Sequence, residues 1–204
     1  MRNNPYIVKR KETFPRLGYF HGRFQPFHLG HMSVVKEALK HVDKLVIGLS
    51  NPFRIPAELD ETMTKNLTAA KEFESTRAPE NNPWPMWARE LMISEGLTSV
   101  GVDVSKIIFV PNLANSGLDV NEAVPDKSLL TIFIVGKDEH NRAKEKQYLD
   151  EGYKVVSLPE QDFGDSGTEI RRRIRSGECW EDLVPAGTAN VILKLAKIGI
   201  GIIN

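Results

Sequence analysis

Cysteine is nearly absent from this chain of 204 residues, since Cys179 is the single one. One thiol cannot form an internal disulfide, and such cysteine usage is typical of proteins from a reducing cytoplasm. The chain also lacks an excess of charge of either sign, because 27 Lys and Arg balance 27 Asp and Glu. This balance argues against a protein that binds nucleic acid or an anionic membrane through bulk charge.

Long hydrophobic runs are missing as well. Residues 1–16 are polar and carry no apolar core of a signal peptide. The apolar run at 191–203 contains Lys194 and Lys197 and is too short to span a bilayer, so we expect a docking helix followed by a strand or tail. The remaining composition, 41% hydrophobic and 26% charged, is ordinary for a globular protein. The sequence therefore predicts a cytoplasmic protein with no membrane segment.

Predicted strands and helices alternate along the chain. Short aliphatic runs predict strands at 17–21, 44–49, 106–110, 129–135 and 153–158. Apolar spacing predicts helices at 29–41, 57–75, 84–95, 143–151 and 166–176. This alternation favours an α/β fold with a doubly wound parallel sheet. We expect an N-terminal arm at 1–16 and one domain at 17–204, with the polar, proline-containing stretch 54–83 as an insertion that acts as a mobile flap.

The most informative segment, Gly-Arg-Phe-Gln-Pro-Phe-His-Leu-Gly-His at 22–31, lies on a predicted strand-to-helix turn. His28 and His31 are three residues apart and share one face at the start of the helix. Gly30 removes a side chain where a ligand would approach. Unpaired backbone N–H groups and the positive end of the helix dipole point to the same place. The segment therefore predicts a polyphosphate site into which two histidines reach.

A second helix start, Asp-Ser-Gly-Thr-Glu at 165–169, has two interpretations. In the structural one, Ser166 or Thr168 caps the helix and Glu169 completes a capping box. In the functional one, the hydroxyls, the backbone N–H groups and Arg171 grip terminal phosphates. Three consecutive arginines point in different directions, so we assign Arg171 to the ligand and the next two to salt bridges or a solvated face.

These segments should converge in space, because ligands of doubly wound sheets bind at the carboxyl ends of the strands where the strand order reverses. The turn after the first strand lies at that edge, as do the loop before Ser166 and the turn Gly136-Lys137-Asp138. Gly136 and Asp138 are therefore candidate ligand contacts, although a plain turn at the end of a strand is an equal alternative.

Together the two segments resemble the signatures of the nucleotidyltransferase superfamily. His28-Leu29-Gly30-His31 is similar to its His-x-Gly-His motif, and the whole of 22–31 is most similar to archaeal-type nicotinamide-nucleotide adenylyltransferases. The stretches 166–173 and 177–185 resemble the second signature and the C-terminal pattern of that family. The resemblance implies a Rossmann-like fold and transfer of AMP from ATP to nicotinamide mononucleotide. The products are NAD and pyrophosphate, formed by direct in-line attack.

The resemblance also implies roles for individual residues. His28 and His31 would bond the α- and β-phosphates in the transition state, best as protonated imidazoles, and Arg171 would hold the β- and γ-phosphates. The candidate nucleotide- and phosphate-binding residues are Gly22, Arg23, Phe24, Gln25, Gly30, Gly136, Asp138, Ser166, Gly167 and Thr168. Mg²⁺ is expected, held mainly by substrate phosphates and water, because no carboxylate cage is evident. Family members are usually oligomers, so we expect a homo-oligomer.

The resemblance to this family is weaker in the regions that should bind the acceptor substrate. The family's tryptophan after the mid-chain strand has no aromatic counterpart in residues 111–119. A long insertion separates Asn51-Pro52-Phe53 from Trp84. Asn51, Trp84 and Trp87 are the candidate acceptor contacts, and each tryptophan is equally suited to the core.

Three alternatives therefore stay open. The first is a cytidylyl- or adenylyltransferase that acts on another small phosphate or phosphonate. The second is a nucleotide sensor without catalytic activity. The third is a metal site built on His28 and His31, for which the sequence shows no third ligand.

Overall fold

The computed structural model describes residues 14–51, 78–112, 126–135, 139–159 and 166–202. Four sequence predictions fall wholly or largely outside the described residues: the arm up to residue 13, the insertion up to residue 77, the helix at 57–75 and the turn at 136–138. Within the described residues, no helix is long and apolar enough to cross a membrane.

Five parallel strands of the described chain form one sheet. They are β1 (Leu17–Gly22), β2 (Lys44–Ser50), β3 (Ile107–Asn112), β4 (Leu130–Val135) and β5 (Lys154–Leu158). Their spatial order is β3-β2-β1-β4-β5, and every neighbouring pair is parallel. The order reverses between β1 and β4, which opens a crevice at the carboxyl edge of the sheet. The predicted α/β fold with a doubly wound, Rossmann-like parallel sheet is confirmed.

The described helices are α1 (Leu29–His41), α2 (Met86–Thr98), α3 (Glu139–Asp150), α4 (Gly167–Ser176) and α5 (Ala186–Ala196). The last begins directly after Pro185 and ends within the predicted apolar run, as expected for a docking helix followed by a strand or tail, although it starts before that run does. Small residues let α5 approach α2 closely: a Cβ added at Gly187 would lie 1.9 Å from the carbonyl oxygen of Glu95. Such small residues carry little apolar signal, so the hydrophobic pattern did not show where this helix starts.

The two faces of the sheet bury two separate cores. Phe20 of β1 belongs to the larger core, which also holds apolar residues of α1, α2, α4 and α5. Tyr19 and Leu17 point to the opposite face and join a smaller core, against which Tyr148 of α3 packs. This alternation is the period of two expected for a strand. It directs the side chains of neighbouring β1 residues to different sides of the crevice.

Candidate active site

A cavity of about 300 Å³ opens at the carboxyl edge of the sheet between β1 and β4. His28, Gly30, His31 and Ser33 contribute one wall from the start of α1, and the ends of β1 and β4 form the floor. This is the point where the strand order reverses, so the cavity occupies the place where a doubly wound sheet binds its ligand.

Buried side chains hold the turn between β1 and α1. Phe24 and Phe27 are 1% and 0% exposed, and a Cβ added at Gly22 would lie 3.3 Å from the Phe24 ring. The side chain of Gln25 donates to the carbonyl oxygen of Trp84 (2.9 Å) and accepts from the N–H of the same residue (3.1 Å). The side chains of Phe24 and Gln25, two predicted nucleotide-binding residues, are thus taken up by the core and by Trp84. They face the core and fix the turn that presents the histidines.

The two imidazoles lie close together at the start of α1, with ring centroids 3.7 Å apart. The backbone N–H of His28 donates to Nδ1 of His31 over 3.4 Å, which assigns the proton of a neutral His31 ring to Nε2. Phe27 stacks on His31 and Phe24 contacts it edge-on. These contacts orient the ring and leave its Nε2–H as a donor for a ligand.

Burial keeps both histidines neutral at pH 7. It lowers the pKa of His28 to about 4. Burial, with repulsion from His28 and Arg23, holds the pKa of His31 well below its ordinary value. The expected protonated imidazoles are therefore not the state of the protein alone, although a bound polyphosphate would raise both pKa values. Nδ1 of His28 is buried without a partner among the described residues, which suits a site that a polar ligand completes.

This pKa shift predicts a loss of stability in acid. The unfolded chain protonates His28 near pH 6.5 and the folded chain only near pH 4, so the free energy of unfolding should fall as the pH drops through this window. The difference amounts to about 3 kcal/mol. Urea unfolding at pH 4.5 to 7.5 measures it, with His28→Gln as the control, whose stability should depend less on pH. Identical pH profiles for both proteins would contradict the assignment.

The start of α4 meets the turn of the first motif. Ser166 caps the helix, accepting a hydrogen bond from the N–H of Glu169 over 3.2 Å, as the structural interpretation predicted. A Cβ added at Gly167 would lie 2.8 Å from the carbonyl oxygen of Gln25. The same oxygen accepts a 2.6 Å hydrogen bond from Nη1 of Arg171. The two predicted phosphate-binding segments are thus brought into direct contact.

The guanidinium of Arg171 was predicted to face a ligand, but in the structure it contacts other protein atoms. Arg171 is 2% exposed, and Nη2 donates to Oδ1 of Asn81 (3.1 Å) and to Oγ1 of Thr168 (3.2 Å). It therefore ties three segments together instead of facing the histidines across an open gap. Its Nε–H is buried and has no partner among the described residues. The next two arginines bond to Glu169 at the surface, in agreement with the salt-bridge prediction.

Positive charge nevertheless gathers where the two turns meet. Arg23 is half-buried, and burial lowers its pKa. Burial lowers the pKa of Arg171 to about 10, and repulsion from Arg23 and Arg175 adds to the effect. In the described part of the chain, no carboxylate forms an ion pair with any of these three arginines. Such a cluster attracts a polyphosphate.

Sequence reasoning missed Arg89, which organises the carboxyl edge of the sheet beside β1 and β2. This arginine of α2 is 1% exposed and donates to the carbonyl oxygens of Arg23 (2.8 Å), Ser50 (2.7 Å) and Asn51 (2.9 Å). It joins the turn after β1 to the end of β2. The sequence feature that could have identified Arg89 is a cationic residue on the apolar face of a helix, beside Ala88 and Met92.

The candidate acceptor residues are dispersed. Trp84 is 1% exposed and lies in the larger core, which corresponds to the core alternative for this residue. Trp87 is 51% exposed on α2 and is not among the described residues that line the cavity. Asn51 lies at the carboxyl edge beside β2, where its side chain bonds to Asn82. The candidates Gly136 and Asp138 lie outside the described residues.

The described residues include no cluster of three His, Cys, Asp or Glu side chains that could hold a metal ion. His28 and His31 thus gain no third ligand from the described chain. A Mg²⁺ ion in this crevice would take its ligands mainly from the phosphates of a substrate, because hard cations prefer oxygen.

Comparisons with known proteins agree with this geometry. A family described as "Cytidylyltransferase-like" matches residues 19–173. A phosphonoformate cytidylyltransferase of Streptomyces viridochromogenes is 31% identical over 182 residues, or 89% of this chain and 92% of that protein. A nicotinamide-nucleotide adenylyltransferase of Archaeoglobus fulgidus is 30% identical over 187 residues, or 88% of this chain and 92% of that protein.

A solved structure shares the fold at low sequence identity. It is a bifunctional NMN adenylyltransferase/ADP ribose pyrophosphatase of Francisella tularensis, complexed with AMP and a manganese ion. The TM-score is 0.57 at 15% identity, over 89% of this chain and 49% of that one. This chain thus spans about half the length of the bifunctional protein, and the likeness concerns the fold.

Proposed function

The chain belongs to the cytidylyltransferase-like family and is a nucleotidyltransferase, and from this premise we propose that it moves AMP from ATP to nicotinamide mononucleotide. The products are NAD and pyrophosphate. The observation that carries this proposal is the pair of oriented imidazoles, His28 and His31, in the cavity at the start of α1. The similarity of the chain to archaeal nicotinamide-nucleotide adenylyltransferases favours nicotinamide mononucleotide as the acceptor.

The proposed reaction is one in-line displacement. A phosphate oxygen of the acceptor forms a bond to the α-phosphorus, the bond from that phosphorus to the bridging oxygen breaks, and pyrophosphate leaves with the electron pair. Both reactants are anions, so the site must offset their repulsion before attack. His28 and His31 donate to the α- and β-phosphates, and the N-terminus of α1 adds its dipole. Binding raises the pKa of both imidazoles and favours proton uptake.

The junction with α4 takes the far end of the triphosphate in this proposal. Arg23 supplies a half-buried positive charge. Arg171 contributes its unpaired Nε–H, or exchanges its bond to Gln25 for one to a phosphate. Backbone N–H groups around Gly30 and Gly167 complete the cradle. Glycine at position 30 lets a ligand approach the main chain, whereas Gly167 makes room for the carbonyl oxygen of Gln25. When bound with the nucleotide, Mg²⁺ would neutralise part of the phosphate charge.

A specific observation favours a second candidate, cytidylyl transfer from CTP to a small phosphonate. Neither Trp84 in the core nor Trp87 on the outer surface of α2 offers a stacking face in the crevice. A small hydrophilic acceptor needs no such face. The similarity to a phosphonoformate cytidylyltransferase, which covers nearly the whole chain, points the same way.

Release of pyrophosphate separates the candidates. The purified protein is incubated with Mg²⁺ and either ATP or CTP, together with nicotinamide mononucleotide, phosphonoformate or no acceptor. We expect release from ATP with nicotinamide mononucleotide, and formation of NAD at the same rate. Release from CTP with the phosphonate alone would establish the second candidate in its place. Tight nucleotide binding without release under any condition would indicate a sensor. His28→Asn/His31→Asn, which lacks both imidazoles, serves as the background control.

A further inference from the structure

Helix α3 is docked against the sheet at two points. The hydroxyl of Tyr148 lies 3.0 Å from Nε2 of His21 in β1. The hydroxyl of Ser157 in β5 donates to Oε1 of Glu145 over 2.6 Å. Hydrogen bonds to two different strands, from positions three residues apart on α3, fix the rotation of the helix about its axis.

The anchor for Tyr148 is itself held in place. Nδ1 of His21 lies 3.1 Å from Nδ2 of Asn112 at the end of β3, and the same amide donates to Oγ of Ser50 in β2 over 3.0 Å. A hydrogen-bonded chain therefore runs along the carboxyl edge of three adjacent strands to α3. Chains of this kind orient each member more tightly than a single contact would.

This docking determines which α3 residues face the cavity. Asn141 and Lys144 stand seven and four residues before Tyr148, so all three share one face of the helix. Both residues line the cavity, which His28 and His31 border from α1. Lys144 is the lysine among the described residues that line the cavity, so it brings a cationic side chain to this wall.

We propose that Lys144 contacts the phosphate chain of the nucleoside triphosphate from the wall opposite the two histidines. Tyr148 is its positioning residue. The inference rests on the proposed function, because it assigns the cavity to the same nucleotide. An ammonium group is a strong donor to phosphate oxygens, and a hydrogen bond to a charged group is commonly worth 10- to 100-fold in affinity.

The test compares Lys144→Met with Lys146→Met, an exposed lysine on another face of the same helix. The dissociation constants of ATP, CTP and inorganic tripolyphosphate are measured with Mg²⁺ and no acceptor. We expect Lys144→Met to weaken the binding of both nucleotides and of tripolyphosphate by a similar factor of about 10 to 100. Lys146→Met should leave all three dissociation constants unchanged. If Lys144→Met weakened the binding of nucleotides but not of tripolyphosphate, the assignment to the phosphates would be overturned. Equal affinities in the two variants would overturn it as well.

Tyr148→Phe separates positioning from folding, because it deletes the hydroxyl and keeps the partly buried ring. We expect this variant to bind ATP and tripolyphosphate a few-fold more weakly than the wild type, a smaller loss than in Lys144→Met. Its melting temperature should be nearly unchanged. Combined with Lys144→Met, Tyr148→Phe should add little further loss, since both act through one contact. Additive losses would contradict the positioning role. These binding constants need no acceptor, so a wild type that transfers nothing would refute the proposed function and still leave the Lys144 comparison decisive.

Discussion

Replacing His31 by asparagine is expected to lower the rate of pyrophosphate release by on the order of 100- to 1000-fold. Asparagine can place an oxygen near the position of Nδ1, where the N–H of His28 now donates, but it has no donor at the position of Nε2. The variant therefore keeps the local turn and loses the donor that we assign to the transition state. Single-turnover rates at saturating ATP and acceptor measure this loss without interference from product release.

The matched control is His31→Gln, whose side-chain amide reaches the position of Nε2. It should retain more activity than His31→Asn. The two variants should have similar melting temperatures, because both lose the same ring contacts with Phe24 and Phe27. Equal rates for the two, or a loss of activity that follows unfolding, would show that the ring supports the fold and not the chemistry.

The second large effect is expected at Arg171. Alanine there would leave the carbonyl oxygen of Gln25 and Oδ1 of Asn81 without this donor. Loss of a buried cation with these contacts should lower the free energy of unfolding by about 2 to 5 kcal/mol. It should also weaken ATP binding, because the junction of the two turns loses both its alignment and a positive charge. Urea unfolding and calorimetric binding measure the two effects.

Arg172→Ala is the matched control for this prediction. Arg172 is the next residue along α4, but it is exposed and bonds to Glu169 and Glu178 at the surface. Its loss should change stability by less than about 1 kcal/mol and leave ATP affinity unaltered. Arg171→Lys keeps the charge and loses the planar fork. Unchanged ATP affinity in both Arg171 variants would limit this residue to a structural tie and contradict its proposed part in phosphate binding.

The sequence predicted the fold well because its signals are local. Aliphatic runs such as the one at 44–49 specify buried strands, and the cap at Ser166 specifies where α4 begins. Alternation of these elements leads to a parallel sheet, and the strand order then places the first turn at the crevice. The two histidines were predictable for the same reason, since one short segment contains the strand end, the glycine and the helix start.

The contacts that hold the site together were not predictable, because they join residues far apart in the chain. Arg171 is 146 residues from Gln25, and Arg89 is 66 residues from Arg23. A motif shows which residue types are present but not which way each side chain points. Phe24 and Gln25 were therefore predicted as ligand contacts, although the side chains of both face the core. Only the packing of α2 and α4 against the turn decides this.

The most direct test of the central claim is the crystal structure of the protein with Mg²⁺ and an ATP analogue that cannot be cleaved between the α- and β-phosphates. The account predicts phosphate oxygens about 2.7 to 3.2 Å from a ring nitrogen of His28 and from Nε2 of His31. The γ-phosphate should lie toward Arg23 and Arg171. An analogue bound with its phosphates away from the start of α1, and with both imidazoles contacting protein atoms alone, would contradict the account.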